Sequence, residues 1–486
     1  MTAPQEFQEK RWQALVLLCS AQFVVVLDAS IVNVALPSIG DALDFSQANL
    51  SWVVNAYVLT FGGFLLLGGR LADLLGRRRV FMVGLGIVAL ASLLAGFAAT
   101  EGQLIAARAA QGLGAAIISP AALSIVTTTF SDGAERNKAL GVWGAVAGSG
   151  GAAGVLLGGI LTDGLGWEWV LWVNVPVSLF ALFLSPRLIA ETRADAQKRV
   201  FDVAGAVTIT AALSILVYAL VDANDAGWGS TQTVGLLALS AALLTAFVAI
   251  ELRTAKPLVP FSIFRIRTLT GANVVGLLIG ASLFSMFFFI SLYMQQVLEY
   301  SAIKAGLSYL PLALLIMASA AGASQLVTKV GYKPVLATGL LFIVIGLVWF
   351  SRVSVGGGFL TDVLGPSLFA AAGLGFAFVT TTIAAVSGVE ESEAGLASGL
   401  INTSQQIGGA LGLAVLATIA TSRTEDLTTG AVPSANALNE GFQAAFLGGA
   451  GIALLGLLLT LVLIRGADSR AHVELGKEPA SDAASA

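Results

Sequence analysis

The sequence has few of the residues on which soluble enzymes, metalloproteins and nucleic-acid-binding proteins rely. Of its 486 residues, one is cysteine, one is histidine and only 11% are charged. The single cysteine, Cys19, excludes a disulfide framework, and His, Cys, Asp and Glu nowhere share metal-ligand spacing. A net charge of −4 gives no basic surface for nucleic acid, and the sequence has no G-x-x-x-x-G-K-[ST] motif for ATP. We therefore expect no enzyme activity, no metal or other cofactor, and no nucleic acid or ATP as partner.

Apolar residues, in contrast, form 57% of the chain and fall into long runs. A membrane-spanning helix needs about 20 predominantly apolar residues. The 55 glycines are scattered through the runs, as in helices that pack closely in lipid. The sequence thus predicts an all-α integral membrane protein with fourteen transmembrane helices. The predicted helices cover approximately residues 13–36, 50–69, 80–99, 103–129, 138–161, 168–189, 201–221, 231–251, 269–298, 305–328, 333–351, 361–387, 396–420 and 441–464.

Lysine and arginine are distributed unevenly between the two sides of such a bundle. If both termini are cytoplasmic, the inner segments hold 21 of the 25 basic residues and the outer loops hold three. The remaining one, Arg108, lies within a predicted helix. Since basic residues concentrate on the inner side of a membrane, we expect a multi-pass protein of the cell membrane. Its tails, residues 1–12 and 466–486, are then both cytoplasmic.

An internal repeat divides the chain into two halves. The segment LADLLGRRRVFMVG at 71–84 is similar to LVTKVGYKPVLATG at 326–339. Four identities fall at one offset of 255 residues: Leu71/Leu326, Gly76/Gly331, Val80/Val335 and Gly84/Gly339. Parallel repeats around a cavity at the membrane midplane are typical of transporters. We predict two pseudo-symmetric six-helix bundles, at 13–190 and 269–465, with two inserted transmembrane helices at 201–251.

Five stretches of the chain carry motifs of a known family. They are LDASIVNVALP at 27–37, GRLADLLGRRRVF at 69–81, RAAQGLGAA at 108–116, WEWVLWVNVP at 167–176 and AGLASGLINTSQQIGGALG at 394–412. With these motifs the chain resembles the major facilitator superfamily, and more closely its fourteen-helix drug:proton antiporters. The resemblance implies a secondary active transporter that exports small amphipathic or cationic compounds by alternating access, in exchange for protons. We expect it to function as a monomer.

The chain departs from the antiporter motif G-x-x-x-G-P-x-x-G-G of helix 5. The stretch GAAGVLLGG at 151–159 keeps Gly154, Gly158 and Gly159, but Val155 replaces the proline. Proline would bend the helix, so here the glycines alone must permit close packing. Transport of a metabolite or lipid, by uptake or by export, therefore stays open as an alternative. A membrane receptor or enzyme is the third reading, and it would need a soluble domain or a catalytic cluster.

Asp28 and Arg108 are the predicted proton-coupling pair. Asp28 lies about two-thirds along helix 1, where a carboxylate costs roughly 2.5–3.5 kcal/mol on insertion scales. A carboxyl group that can be neutral or charged there can carry a proton or pair with a cation. Arg108 lies at a similar predicted depth of helix 4. The alternatives are a carboxylate locked to its partner for packing, and an arginine that reaches the outer headgroups.

The arginine-rich loop between helices 2 and 3 is the predicted cytoplasmic gate. Gly69 and Gly76 permit a tight turn and close backbone approach. The resemblance implies that Asp73 lies against a helix N-terminus in the other half, which the repeat identifies as helix 13 near 394–396. When the gate is shut, we expect Arg77, Arg78 and Arg79 to pair with Glu390, Glu391 and Glu393. The alternative is that the arginines only set the topology.

Polar side chains within helices are the candidates for substrate binding. They are Asn33, Asn55, Tyr57, Tyr293, Gln295, Gln296, Asn402 and Gln405. The stretch LFSMFFFISLYMQQ at 283–296 adds aromatic and methionine surface suited to flat lipophilic cations. The alternative is that most of these phenylalanines face lipid.

Overall fold

The computed structural model describes residues 7, 9–45, 50, 52–130, 133–192, 202–254, 257–390, 393–428 and 434–475. Every regular element in these ranges is a helix. Thirteen described helices have the length and hydropathy of a membrane span, and a bent fifth helix makes fourteen. The all-α prediction with fourteen spans is confirmed.

The N-terminal half contains six of these helices. They are α1 (Arg11–Ala42), α2 (Trp52–Leu75), α3 (Arg77–Ala95), α4 (Glu101–Thr129), α5 (Ala134–Leu165) and α6 (Glu168–Leu188). α5 bends by 42° between its segments Ala134–Gly151 and Ala153–Leu165. The bend follows the sequence Ser-Gly-Gly at 149–151, a combination that weakens a helix without any proline.

The remaining spans form the insertion and the C-terminal half. The inserted helices are α7 (Val203–Ala226) and α8 (Thr231–Glu251). The C-terminal helices are α9 (Arg267–Val297), α10 (Ile303–Val330), α11 (Tyr332–Phe350), α12 (Phe359–Val386), α13 (Ala394–Leu427) and α14 (Ala435–Leu463). Several helices run past the predicted apolar segments, as α13 does by seven residues at its end. Hydropathy marks the thickness of the membrane, whereas the helix ends where its backbone hydrogen bonding ends.

The two halves share one packing pattern. α1 packs against α5 and α6, and its repeat equivalent α9 packs against α13 and α14. α3 packs against α4 and α6, just as α11 packs against α12 and α14. The equivalent glycines Gly76 and Gly331 both have positive φ, 111° and 83°, which L side chains rarely adopt. The offset of 255 residues therefore relates backbone conformation as well as sequence.

Two further features join the halves and close the chain. α7 packs against α2 of the N-terminal half and α13 of the C-terminal half, so the insertion bridges both. The predicted C-terminal tail begins with a helix, α15 (Gly466–Leu475), that packs against α10 and α11. Ser469 of α15 accepts a hydrogen bond from the backbone N–H of Lys333 (3.1 Å). This part of the tail is thus packed onto the C-terminal half.

Candidate functional site

Asp28 forms a buried ion pair with Arg108. Nη1 of Arg108, on α4, lies 2.6 Å from Oδ2 of Asp28, on α1. The two side chains are only 2% and 0% exposed, so water does not screen the pair. Nε of Arg108 donates to the carbonyl oxygen of Val53 on α2 (2.9 Å). The arginine is therefore turned into the bundle, and the alternative of an arginine reaching the headgroups does not describe this structure.

Two amides complete the surroundings of the carboxylate. Asn174 of α6 donates to Oδ1 of Asp28 at 2.5 Å, and Gln111 of α4 donates to the same oxygen at 3.3 Å. Gln111 also accepts from Arg108 at 2.9 Å and donates to Ser92 of α3 at 2.7 Å. A buried charge needs both a counter-charge and hydrogen bonds, and this network of five helices supplies both.

Tyr57 belongs to this network and was predicted for the substrate instead. Its ring centroid lies 4.5 Å from the guanidinium carbon of Arg108, a cation–π arrangement. Its hydroxyl donates to the carbonyl oxygen of Val25 (2.9 Å). The side chain is 2% exposed, with both its ring and its hydroxyl engaged within the N-terminal half. In this state Tyr57 therefore positions the arginine, and its contact with substrate stays a prediction.

Asp73 connects the two halves of the bundle. The contact lies at the end of the bundle where Arg77 is found, which we call the Arg77 end. It accepts hydrogen bonds from the backbone N–H groups of Gly395 (3.1 Å) and Leu396 (3.0 Å), the first residues of α13. Arg77 lies 2.9 Å from the same carboxylate. Asp73 is fully buried, so the positive end of the α13 dipole and the arginine together balance its charge. The helix N-terminus that the resemblance implied is the one found.

Glycine makes this approach possible. A Cβ at Gly69 of α2 would lie 2.5 Å from the carbonyl oxygen of Gly395, closer than real Cβ atoms approach. Nearby, Asn137 of α5 donates to Thr328 of α10 at 3.0 Å. The two halves thus meet through α2 and α13 and through α5 and α10.

The other gate arginines lie beside an acid that the sequence analysis did not select. Nε of Arg78 and Nε of Arg79 lie 3.8 Å and 3.6 Å from Oε2 of Glu191, which follows α6. The backbone N–H of Arg78 also donates to Glu191 (3.3 Å). Of the predicted acidic partners Glu390, Glu391 and Glu393, the second lies outside the described residues. The latch between halves stays a prediction.

The other substrate candidates are spread over several environments. Asn33 is exposed, and its amide donates to the backbone of its own helix (Ala29 and Ser30, both 3.3 Å). Asn55 is half-buried, and Gln295 and Gln296 are exposed.

Tyr293 lies in a π-helical turn that ends α9. Its hydroxyl donates to the carbonyl oxygen of Ser354 (2.8 Å) and to Asp362 (3.1 Å). The hydroxyl is therefore bonded within the C-terminal half.

Asn402 and Gln405 both lie on α13, and Asn402 contacts the other half. Ser119 of α4 donates to Oδ1 of Asn402 of α13 at 3.4 Å, so this contact crosses the interface. Gln405, one helical turn later, is 7% exposed, and its Nε2 has no partner among the described residues. A buried amide donor without a partner can bind an acceptor on a ligand. These two residues are the strongest of the predicted substrate contacts.

The helix 5 motif forms the contact between α5 and α1. A Cβ at Gly154 would collide with Ser30, and one at Gly158 would lie 2.7 Å from the carbonyl oxygen of Ile31. Gly159 instead faces Ile303 at the start of α10, in the other half. The glycines therefore permit the close packing that the sequence predicts.

Sequence reasoning missed four residues of the site: Gln111, Asn174, Ser119 and Glu191. The first two carried a signal, because each is the amide of a motif recognised in the sequence, R-x-x-Q-G and W-x-x-x-x-N-x-P. Ser119 and Glu191 carried none, since their partners lie 283 and 113 residues away.

Comparison with known proteins agrees with this architecture. The model of the family described as Major Facilitator Superfamily matches residues 18–413. The cephamycin export protein CmcT of Amycolatopsis lactamdurans is 43% identical, over 85% of this chain and 85% of its own. The puromycin resistance protein pur8 of Streptomyces alboniger is 39% identical, over 95% and 92% of the two chains. The lincomycin resistance protein of Streptomyces lincolnensis is 33% identical, over 84% of each.

A solved structure has the same fold. The human organic anion transporter MFSD10 (TETRAN) superposes with a TM-score of 0.65 at 16% identity. The match covers 94% of this chain and 100% of that one. At this level of identity the similarity concerns the fold alone.

Proposed function

The chain belongs to the major facilitator superfamily of multi-pass membrane transporters, and we propose that it exports small amphipathic or cationic compounds in exchange for protons. The observation that carries the proposal is the buried carboxylate of Asp28 within its network of Arg108, Gln111 and Asn174. A carboxylate at this depth has a high free-energy cost of insertion, so such residues are rare and usually functional. The charge pattern supports a cell-membrane protein with both termini cytoplasmic.

Asp28 would alternate between a proton and the substrate. With a proton bound, the anion is lost and Arg108 keeps its bonds to Val53 and Gln111 and its stacking on Tyr57. The network thus remains ordered while the carboxyl group changes charge. A cationic substrate that displaces the proton would complete an exchange, and the inward proton gradient would drive export.

The glycine contacts suggest how this change reaches the other half. α1 carries Asp28 and packs on the glycine face of α5. Another face of α5 packs against α10, through Gly159 with Ile303 and Gly141 with Ser324. A shift of α1 that follows protonation would therefore move α5 against the C-terminal half. Two rigid bundles that rock in this way provide alternating access.

The substrate class is inferred from relatives and from the interface. Relatives are named for cephamycin export and for puromycin and lincomycin resistance, so we propose antibiotic-like compounds of similar size. Ser119 and Asn402 offer hydrogen bonds between the halves, and Gln405 offers a free amide N–H one turn further along α13. Because this donor set is neutral, shape and apolar contact would select among compounds there, while Asp28 supplies the charge that a cation requires.

One observation favours a second function, the transport of a metabolite or lipid. Val155 stands where the antiporter motif has proline, and its Cγ1 faces Gly306 of α10 across the interface. This is the part of α5 that would move during transport. A family member with altered motion here could carry different cargo or work in the other direction.

Efflux from vesicles tests the proposal. We would load membrane vesicles with a fluorescent lipophilic cation, impose a pH gradient and compare the native chain with Asp28→Asn at equal expression. The matched control is Asp222→Asn, the same change at an acid that binds Gln232 near the end of α7. Export that is lost only in Asp28→Asn supports antiport. Export that survives in this variant excludes Asp28 as the coupling site.

Resistance in cells tests the cargo. A drug-sensitive bacterial host expressing the chain should tolerate more puromycin, lincomycin or cephamycin than the same host expressing Asp28→Asn. If no compound moves in either assay, drug export is wrong and the metabolite or lipid alternative takes its place.

A further inference from the structure

A pair of acids lies buried at the ends of the inserted helices. Asp202 precedes α7 and Glu251 ends α8, and the two are 9% and 3% exposed. Oδ1 of Asp202 accepts from the N–H of Gly205 (2.9 Å), which makes it the N-cap of α7. Glu251 accepts from the N–H groups of Leu258 (3.2 Å) and Val259 (3.1 Å). Both acids therefore have fixed positions.

The two carboxyl groups approach each other beside Gly205 of α7. A Cβ at Gly205 would overlap both Oε1 of Glu251 and Oδ2 of Asp202, so these two oxygens face the same small space. Oδ2 of Asp202 has no hydrogen-bond partner among the described residues. Two buried carboxylates whose oxygens share one small space repel each other strongly when both are ionised. A proton between them removes the repulsion and gives Oδ2 a partner.

Among the described residues, the charged groups on neighbouring elements do not replace that proton. Arg253 beyond α8 and Arg265 before α9 are exposed, and Glu393 at the start of α13 is itself acidic. Arg70 of α2 is buried, but its Nη2 donates to the carbonyl oxygen of Pro257 (3.4 Å).

We propose that Asp202 and Glu251 form a second proton-binding site, which holds one proton between Oδ2 of Asp202 and Oε1 of Glu251. The site is separate from Asp28, and its existence does not depend on the transported compound or on the direction of transport. A proton is shared by the pair, so its binding belongs to both residues together.

The position of the pair connects it with the gate. The peptide between Pro257 and Leu258 accepts from Arg70 through its carbonyl and donates to Glu251 through its N–H. Arg70 lies three residues before Asp73, which holds the N-terminus of α13. Loss of the proton would drive the two carboxylates apart and displace this peptide. The inserted helices would thereby sense pH at the Arg77 end.

Infrared spectroscopy of the purified protein in lipid tests the site without any transport. Protonated carboxyl groups absorb apart from carboxylates, so we would compare this absorption at neutral pH among variants. The double change Asp202→Asn with Glu251→Gln should remove the absorption of one carboxyl group, whereas each single change leaves one buried acid that can keep the proton. Asp222→Asn, at the other end of α7, should leave the absorption unchanged.

Every outcome decides the proposal. A spectrum of the double variant equal to that of the native chain would mean that both acids are ionised, and the site would not exist. Loss in one single variant and not in the other would assign the proton to one residue alone and overturn the shared site. Asparagine retains the N-cap, and Asp202→Ser supplies a second capping residue without a carboxyl group if the first variant does not fold. Thermal unfolding in detergent establishes that each variant is folded.

Discussion

Asn174 donates a hydrogen bond to Oδ1 of Asp28, although 146 residues separate them in the chain. Oδ2 of the same carboxylate faces Arg108. The arginine of α4 and the amide of α6 therefore fix opposite oxygens, and the carboxylate cannot rotate without losing one of them. Asn174 is fully buried, which identifies it as a positioning residue of the site.

Replacing Asn174 with alanine should move the pH dependence of transport. The lost hydrogen bond to the charged carboxylate is worth about 1.5–3 kcal/mol. Because the variant favours the protonated carboxyl, half-maximal transport should shift to higher pH. Ser178→Ala, one turn along α6 and equally buried, is the matched control and should not shift. A loss of rate at an unchanged pH profile would reduce Asn174 to a packing role.

The contact between α1 and α5 predicts opposite effects for two neighbouring glycines. Gly158→Ala places a Cβ against the carbonyl oxygen of Ile31 and should cost about 1–3 kcal/mol. Gly151→Ala meets no atom within 4 Å and should stabilise the helix by about 0.5–1 kcal/mol. The melting temperature in detergent should therefore be higher for Gly151→Ala than for the native chain and lower for Gly158→Ala. Equal melting temperatures would show that α5 does not rely on the glycine face.

The sequence predicted the depth of Asp28 and Arg108, and depth was enough to suggest a pair. The rise per residue is fixed in a helix, so distance from the helix end can be read from the chain. The rotation of each helix about its axis cannot be read in the same way when nearly all faces are apolar. This is why Tyr57 was predicted to contact substrate, and why the choice of partner for Arg108 stayed open.

Long-range electrostatic partners were the least predictable part of the site. The glutamates at 390–393 stood out as an acidic cluster, whereas Glu191 stood alone near basic residues. Which acid meets Arg78 depends on how α6 leaves the bundle, and only the assembled fold determines that. Asp202 and Glu251 escaped notice because acids at helix ends are usually solvated.

Replacing Asp73 with asparagine should weaken closure at the Arg77 end. The amide can accept one backbone N–H of α13, but its NH₂ group would face the other donor, and the charge opposite Arg77 is lost. Each lost bond to a charged group is worth about 1.5–3 kcal/mol, enough to reduce the closed population about tenfold. Closure can be followed by crosslinking Asn137→Cys to Thr328→Cys with a short thiol reagent, in a chain whose only cysteine, Cys19, is replaced.

Crosslinking should then slow about tenfold in Asp73→Asn and stay unchanged in Asp222→Asn, the same substitution in α7. Unchanged crosslinking in both variants would show that Asp73 does not hold the gate.

The same assay separates the predicted latch from contacts within one half. Changing Glu390, Glu391 and Glu393 together to glutamine should slow crosslinking by about two- to fivefold, because exposed ion pairs contribute up to about 1 kcal/mol. Glu191→Gln should have no effect, since Glu191 and its arginines move as one body and their contact does not cross the interface. High salt should abolish the effect of the triple change, because screening removes the attraction in the native chain as well. If instead Glu191→Gln slows crosslinking and the triple change does not, the latch is wrong and the arginines close the gate through α6.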